Sequence, residues 1–485
     1  MKKILIIIFS FVFLSSNVFA NDKYLNEFNK WLIQNNHTQY FEINKQYEEC
    51  RNCNWDPLPR CFDENNKPKK QCVLDGDQSY YDTGEYKWIQ HEKYKSKLKI
   101  KFFKKKDGKI RDSIPWNAKK ISDDTLLYYG FVRSKKADLM GGKWLTEASS
   151  NPYEFEFDLR EDKKVDKELK KSAMMSYLLF ENGKITVDKK SPEDRFGILL
   201  HEDAKLFASS MGKTIVSYVL GNAVCEGYIG GVNSKIDDWP LIKNTLYDGQ
   251  KIIDVINMSA GDQEYITIKD RVKKTGNTAG NYTIKYLMEE IFKNSTKKKQ
   301  KWNYSGLPAP LINNYIWFKS NGDYQKILDK TFKEKAKIKH SVQFRTKKYD
   351  KNYEDRIATY EDGILDSHFW ATRDDYLRIA KAMLDDWQND TCVGKYLKTV
   401  FNNRVKKNYQ GNVDNNSNWF NPKQYAGFFH TGYTGMKDRA VMGMDGNGGQ
   451  SIMIDFDRGR IIVINAIFNN YNWKKIAHSV IKKGK

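Results

Sequence analysis

Hydrophobic and polar positions change their period several times along the 485 residues. In "MMSYLLFENGKITVDKK" (174–190) two apolar runs flank Asn182-Gly183. Asn-Gly supplies the two positive-φ residues of a tight hairpin turn, so the pattern predicts strand, turn, strand. Further on, Ile215, Val216, Val219, Leu220 and Val224 recur at the three- and four-residue spacing of a helix face. Residues 230 to 400 read mostly as helices and loops. After them "DRAVMGMDGNGG", "QSIMIDFD" and "RIIVINAIF" give three short strands, and "NWKKIAHSVIKK" gives a closing helix. Two strands, an all-helical insert, three strands and a helix predict an α/β (α+β) domain over 172–485. Its antiparallel β-sheet is flanked by helices that include the closing one.

Residues 21–171 have a different character and predict an N-terminal β-rich accessory module. A helix is expected near 23–36. In "SKLKIKFF" Leu98, Ile100 and Phe102 alternate with lysine, and Asp107-Gly108 supplies a turn before "KIRDSI". "YEFEFDL" alternates in the same way at Tyr153, Phe155 and Phe157. A charged stretch, "REDKKVDKELKK" (160–171), marks the change to the second domain. At the other end, Lys2 and Lys3, the apolar run Ile4 to Leu14 and the small-residue site Val18-Phe19-Ala20 predict a secretory signal peptide over 1–20. No Cys follows that site, which argues against a lipid anchor. No later apolar run reaches the ~18 residues a membrane span needs. The expected address is periplasmic or secreted.

Export changes how composition is read. With 40% hydrophobic and 14% aromatic residues the chain can bury a large core. The net charge of +21 has local peaks at 95–106 and 295–301. It fits attraction to an anionic cell-wall polymer or, more simply, lysines on solvated faces. An exported chain without a basic-aromatic module argues against nucleic acid as a partner. Cys50, Cys53, Cys61 and Cys72 form a cluster, and Cys50-x-x-Cys53 would suit zinc. An oxidising compartment favours two disulfides instead, in any of three pairings. Cys225 lies among apolar helix positions and reads as a small core residue, with Cys392 far off in sequence.

The chemistry is expected in "LFASSMGKTIVSYVLGNAV" (206–224). Gly212-Lys213-Thr214 imitates the end of a phosphate loop, but such a loop needs glycine where Phe207 stands, and no βαβ pattern surrounds it. The same stretch holds Ser210-x-x-Lys213. Ser-x-x-Lys also occurs at Ser96, Ser295 and Ser479. Only Ser210 follows a hairpin and opens a long apolar helix. There the i, i+3 spacing puts the Lys213 amine on the side of the Ser210 hydroxyl. The helix N-terminus offers free amides to a developing oxyanion. A serine hydroxyl needs a neighbouring base, and a desolvated lysine can serve.

"LLFENGKI", "FASSMGKTIVSYVLGNAVCEGYI", "IDDWP", "IIDVINMSAG" and, later, "FWATRDDYLRIAKAMLDDW" resemble the serine β-lactamase and penicillin-binding superfamily. The likeness is to its class C-like branch of esterases and 6-aminohexanoate-dimer hydrolases, and it runs from 172 to the C-terminus. It implies a β-lactamase-like fold, an acyl-enzyme on Ser210, and acid–base work shared by Lys213 and a tyrosine of a Tyr-x-Asn motif. Tyr304-Ser305-Gly306 matches with glycine in place of the asparagine. For the third motif, Lys274-Thr275-Gly276 is a literal Lys-Thr-Gly with no strands after it. His430-Thr431-Gly432 is a reserve candidate, followed by three strands where the family has two. Gly446-Asn447-Gly448 meets the count and resembles the Gly-x-x-Gly-Gln form, which implies that the amides of Asn447 and Ser210 hold the oxyanion. No metal or organic cofactor is implied. The expected partner is a small-molecule or peptide substrate, an ester or amide rather than a β-lactam. Alternatives are a D,D-peptidase and a catalytically inactive relative that binds cell-wall fragments.

Overall fold

The computed structural model describes all residues except 1–18, 51–86, 106–107, 109, 140–141, 263–282, 348–359, 408–421 and 484–485. It divides into two compact units, Met1–Ile110 and Arg111–Lys485. The signal-peptide core, Cys53, Cys61, Cys72 and Lys274-Thr275-Gly276 lie outside the described residues.

In the first unit, helix α1 (Phe19–Gln34) covers most of the helix expected near 23–36. Strands β1 (Phe41–Cys50) and β2 (Lys87–Ser96) pair antiparallel, from Phe41 opposite Ser96 to Cys50 opposite Lys87. The strand expected at Leu98, Ile100 and Phe102 does not form. Those residues are half-buried between exposed lysines, but the segment joins no sheet among the described residues. Among the described residues an isolated bridge pairs Lys104 with Ile110, and Asp107 of the expected turn lies outside them. Alternation specifies a face, whereas a strand also needs a neighbour to take up its backbone groups.

The second unit begins at Arg111, so residues 111–171, grouped by sequence with the accessory part, pack instead with the region C-terminal to them. Its first elements are helix α2 (Asp123–Leu139), strands β3 (Lys143–Thr146) and β4 (Glu156–Phe157), and helix α3 (Lys163–Lys171). The Asp162 carboxylate caps α3 by accepting from the backbone N–H groups of Lys164 and Val165. Only two residues of "YEFEFDL" become strand, pairing parallel with Lys184 and Ile185; Tyr153 and Phe155 are half-buried but Phe157 is exposed, so the alternation marks a covered face only in part.

The predicted hairpin comes next, as β5 (Met174–Glu181) and β6 (Lys184–Lys190). Asn182 and Gly183 sit at φ +54° and +79°, as a two-residue turn of this hand requires. After it stand β7 (Leu206–Phe207), helix α4 (Gly212–Cys225), and a ribbon of β8 (Lys235–Ile236) and β9 (Gln250–Lys251). Helix α5 (Pro308–Lys319) precedes β10 (Val342–Thr346) and β11 (Leu365–Ala371). Helices α6 (Arg373–Gln388) and α7 (Cys392–Asn402) come next. The chain ends with β12 (Val405–Lys406), β13 (Gln424–Ala426), β14 (Phe429–Thr431), β15 (Val441–Gly446), β16 (Gln450–Asp455), β17 (Arg460–Ala466) and helix α8 (Ser479–Lys483).

Nine strands form the main sheet in the order β12-β13-β14-β15-β16-β17-β5-β6-β4. The last long strand, β17, therefore lies between β16 and the first hairpin, antiparallel to both. Val165 and Leu169 of α3 join Trp473, Ile476 and Ile481 near the C-terminus in one core with Tyr177, Leu179 and Ile464 of the sheet. A second sheet of four strands, β3-β10-β11-β7, was not anticipated from sequence. Its β7 edge leads directly into Ser209 and Ser210.

Cys225, expected as a small core residue, is also a cross-link. It forms a disulfide with Cys392, Cα atoms 5.8 Å apart, joining the end of α4 to the start of α7. Such a bond belongs to an oxidising environment. Among the described residues, no helix is long and apolar enough to cross a membrane.

Candidate active site

Ser210 lies in the single 3-10 turn Ser209–Met211 between β7 and α4. Ser209 is held at φ +53°, unusual for a residue with a side chain and maintained only where the surroundings fix it. The surroundings do. The Ala208 N–H donates to the Phe369 carbonyl of β11 at 2.9 Å, and a Cβ on Gly212 would stand 2.0 Å from the Ser367 carbonyl oxygen. Gly212, which suggested a phosphate loop, is there because the helix start presses on β11.

Lys213, the second residue of α4, is buried, 6% exposed, and its Nζ donates to Ser210 Oγ at 2.7 Å. The other three Ser-x-x-Lys serines do local structural work. Ser96 Oγ accepts from the Leu98 N–H, Ser295 Oγ accepts from the Leu246 N–H, and Ser479 Oγ donates to the Lys475 carbonyl.

Tyr304 arrives from the loop ahead of α5. Its ring centroid is 5.0 Å from Lys213 Nζ, so hydroxyl, amine and phenol ring gather at one place. The ring stacks 6.3 Å from His430 and meets Tyr425 edge-on at 6.3 Å, with Trp302 tilted at the same separation. Gly306 is exposed, and no heavy atom lies within 4 Å of where its Cβ would stand.

His430, the reserve candidate, is on β14 opposite Gly443 of β15, and β15, β16 and β17 come after it. It is buried, with Nδ1 2.5 Å from the buried Lys407 Nζ. Asn447 occupies the tip of the β15–β16 hairpin. A Cβ on Gly446 would be 2.1 Å from the Ala208 carbonyl oxygen, so only glycine lets β15 run this close to the turn carrying Ser210. Gly448, at φ +89°, leaves room for the Arg133 guanidinium.

No family model matches this chain, and no curated protein matches it in sequence. Solved structures do. A Bacillus anthracis protein assigned as a 6-aminohexanoate-dimer hydrolase has a TM-score of 0.52 at 11% identity, covering 73% of this chain and 94% of its own. The chain has the β-lactamase-like fold. FmtA from Staphylococcus aureus matches at a TM-score of 0.45 and 14% identity, over 70% of this chain and 94% of its own. A class C β-lactamase from Rhodobacter sphaeroides matches at 0.42 and 12%, over 64% and 93%.

In this β-lactamase-like domain, sequence reading missed the residues that support the site from afar. Arg133, Lys407 and Tyr471 stood as ordinary members of a Lys-, Arg- and Tyr-rich chain. Tyr471 Oη donates to the Gly449 carbonyl at 2.8 Å and steadies the hairpin tip. A buried polar group on β10 and β11 also went unread. Burial would raise the Asp366 carboxyl, but His368, Arg345 and Lys347 hold it well below the usual range. His368 Nδ1 is 2.8 Å from Asp366, with Arg345 paired to the same oxygen, and the His368 ring stacks on Phe207 at 5.2 Å. Burial first, opposed by Asp366, pushes the His368 imidazole below its ordinary value. Through Phe207 this group touches the strand that leads into Ser210.

Proposed function

We propose that the chain is an exported serine hydrolase that cleaves an ester or amide through an acyl-enzyme on Ser210. The observation that carries this reading is the 2.7 Å contact between Lys213 Nζ and Ser210 Oγ at the start of a buried helix. Ser210 Oγ attacks the carbonyl carbon while Lys213, as the free amine, takes its proton; Tyr304, beside that amine, shares the transfer. The carbonyl oxygen gains charge between the amides of Ser210 and Asn447. Collapse of the tetrahedral adduct breaks the bond to the leaving group, which departs with the proton. Water then attacks the acyl carbon, and Ser210 regains its proton. No step calls for a metal or an organic cofactor.

Two features favour a plain ester or amide over a β-lactam. Gly306 offers no side chain where the resemblance implies an asparagine against the substrate amide. The strand beside Ser210 ends at Gly446 and leads into Asn447-Gly448, with no lysine there to receive a carboxylate. The Cys225–Cys392 disulfide supports the exported address, and the +21 net charge supports residence near an anionic cell-wall polymer.

The test is intact-mass labelling with a fluorophosphonate and a small panel of acyl donors, including penicillin and a D-alanyl-D-alanine peptide. One adduct on Ser210, absent in Ser210→Ala, is expected, with esters reacting faster than penicillin. Binding of cell-wall fragments without any adduct would overturn the enzyme reading in favour of an inactive binding protein. Release of D-alanine would move it to a D,D-peptidase.

A further inference from the structure

Arg133 comes from α2, in the stretch 111–171 that the sequence set apart from the hydrolase domain. It is 8% exposed. Burial, opposed by Asp112, lowers the guanidinium from its ordinary value to about 10, so it remains a cation at neutral pH. Its Nη2 donates to the Asn447 carbonyl at 2.7 Å, and Nη1 donates to the Ile467 carbonyl at 3.3 Å. The same guanidinium lies 5.6 Å from the centre of the Phe207 ring, three residues before Ser210. One buried cation thus bridges the hairpin tip, the end of β17 and the strand that leads into the nucleophile turn.

That bridge acts on the peptide next to the one whose N–H is assigned to the oxyanion. The Gly446 carbonyl accepts from the Gly449 N–H at 3.0 Å. In a trans peptide the Asn447 N–H then points the opposite way, out of the turn. Gly446 itself abuts Ala208. The next peptide plane is fixed by Arg133 through the Asn447 carbonyl. A charge-assisted bond in a buried setting fixes direction more firmly than a neutral one. Two consecutive peptides are therefore locked, one by the turn and one by the guanidinium. Gly448 belongs to the same device, since a Cβ there would stand 1.5 Å from Arg133 Nη1.

We propose that Arg133 is a positioning residue that aims the Asn447 N–H at the oxygen on which charge develops. The proposal rests on the reading of Ser210 as the acylated nucleophile. The test compares full-length wild type with Arg133→Met, Arg133→Lys and Gly448→Ala, each normalised to the Ser210 sites that a fluorophosphonate labels at completion. Arg133→Met should lower kcat for an ester by about 10- to 100-fold, short of the loss of a whole oxyanion donor, with KM nearly unchanged. Its affinity for a boronic acid, which mimics the tetrahedral state, should fall by the same factor, and Arg133→Lys should recover part of both. A merely structural role would lower the melting temperature and leave kcat per labelled site and boronate affinity alone. That result would overturn the proposal. If Arg133→Met does not fold, Gly448→Ala decides, because it displaces the guanidinium without removing it; a normal kcat there also overturns the proposal. A wild type that never labels would bring down the enzyme reading and this proposal together, whereas a labelling wild type matched by Arg133→Met would bring down the proposal alone.

Discussion

Ser210 and Lys213 keep few freedoms. Ser209 is pinned at positive φ, Gly212 is pressed on β11, and the Lys213 amine is buried against the hydroxyl it would deprotonate. Gly306 is the opposite case, with open space around its missing side chain. Gly306→Asn should therefore fold normally and give an amide substrate a new polar contact. A net hydrogen bond of about 0.5–1.5 kcal/mol predicts a rise of roughly 2- to 10-fold in kcat/KM for amides, with esters little changed. Steady-state rates on a matched ester and amide check it; equal changes on both would show that position 306 does not face the substrate amide. Lys347 gives a pH signature. Burial, opposed by Asp366, lowers its ammonium from 10.5 to about 8. Between those values the unfolded chain binds the extra proton, so this residue's cost to stability shrinks as pH rises from 8 towards 10.5. Urea midpoints measured from pH 7.5 to 9.5 should rise more steeply in wild type than in Lys347→Met; parallel profiles would contradict the shift. What was legible at this scale was local. Ser210 and Lys213 announce each other at i, i+3. Arg133 does not, because its partner Asn447 is 314 positions away and nothing in the α2 sequence points to it.

The elements that hold the site divide by how local their pairing is. The 174–190 hairpin and the β15–β16–β17 meander were readable, since turn residues and apolar runs adjoin in sequence. The β3-β10-β11-β7 sheet was not. It joins segments between residues 143 and 371, β7 is two residues long, and every residue of β10 is buried, so no alternation betrays it. The alternation of "YEFEFDL" misled in the other direction, since only Glu156 and Phe157 become strand. Helix α4 shows the same contrast. Its apolar spacing was plain, yet its covalent tie through Cys225 to Cys392 closes a loop of sequence separation 167 and has no local sign. Closing so long a loop restricts the unfolded chain, so Cys225→Ser with Cys392→Ser should cost about 2–5 kcal/mol, read as a lower urea midpoint. The labelling rate at Ser210 should stay near wild type. Fifteen residues at 1.5 Å per residue put the bond about 20 Å along the helix from Ser210. A large loss of labelling in folded double mutant would mean that the far end of α4 governs the site.

On the scale of the whole molecule, the boundary near 171 tracks the charge-rich "REDKKVDKELKK", whereas the compact units part between Ile110 and Arg111. The difference has a physical cause. A charged stretch resembles a linker in composition, but in α3 the lysines are exposed while Val165 and Leu169 enter the core beneath the main sheet and Glu168 is buried beside them. The segment 111–171 also supplies β3, which pairs with β10, and α2, which carries Arg133. Two truncations separate the alternatives. A fragment of residues 111–485 should fold with a single cooperative transition and label Ser210 at close to the full-length rate, because every strand of both sheets and every residue proposed for the chemistry is retained. A fragment of residues 172–485 should fail. It loses an edge of each sheet, two buried residues of the shared core and the cation that fixes the Asn447 peptide, several independent losses of about 1–5 kcal/mol each against a total stability of only 5–15 kcal/mol. Circular dichroism melts with fluorophosphonate labelling read both outcomes. A folded, reactive 172–485 would restore the boundary suggested by the charge pattern and reduce Arg133 to a bystander. An unfolded 111–485 would mean that residues 1–110 contribute stability to the β-lactamase-like domain.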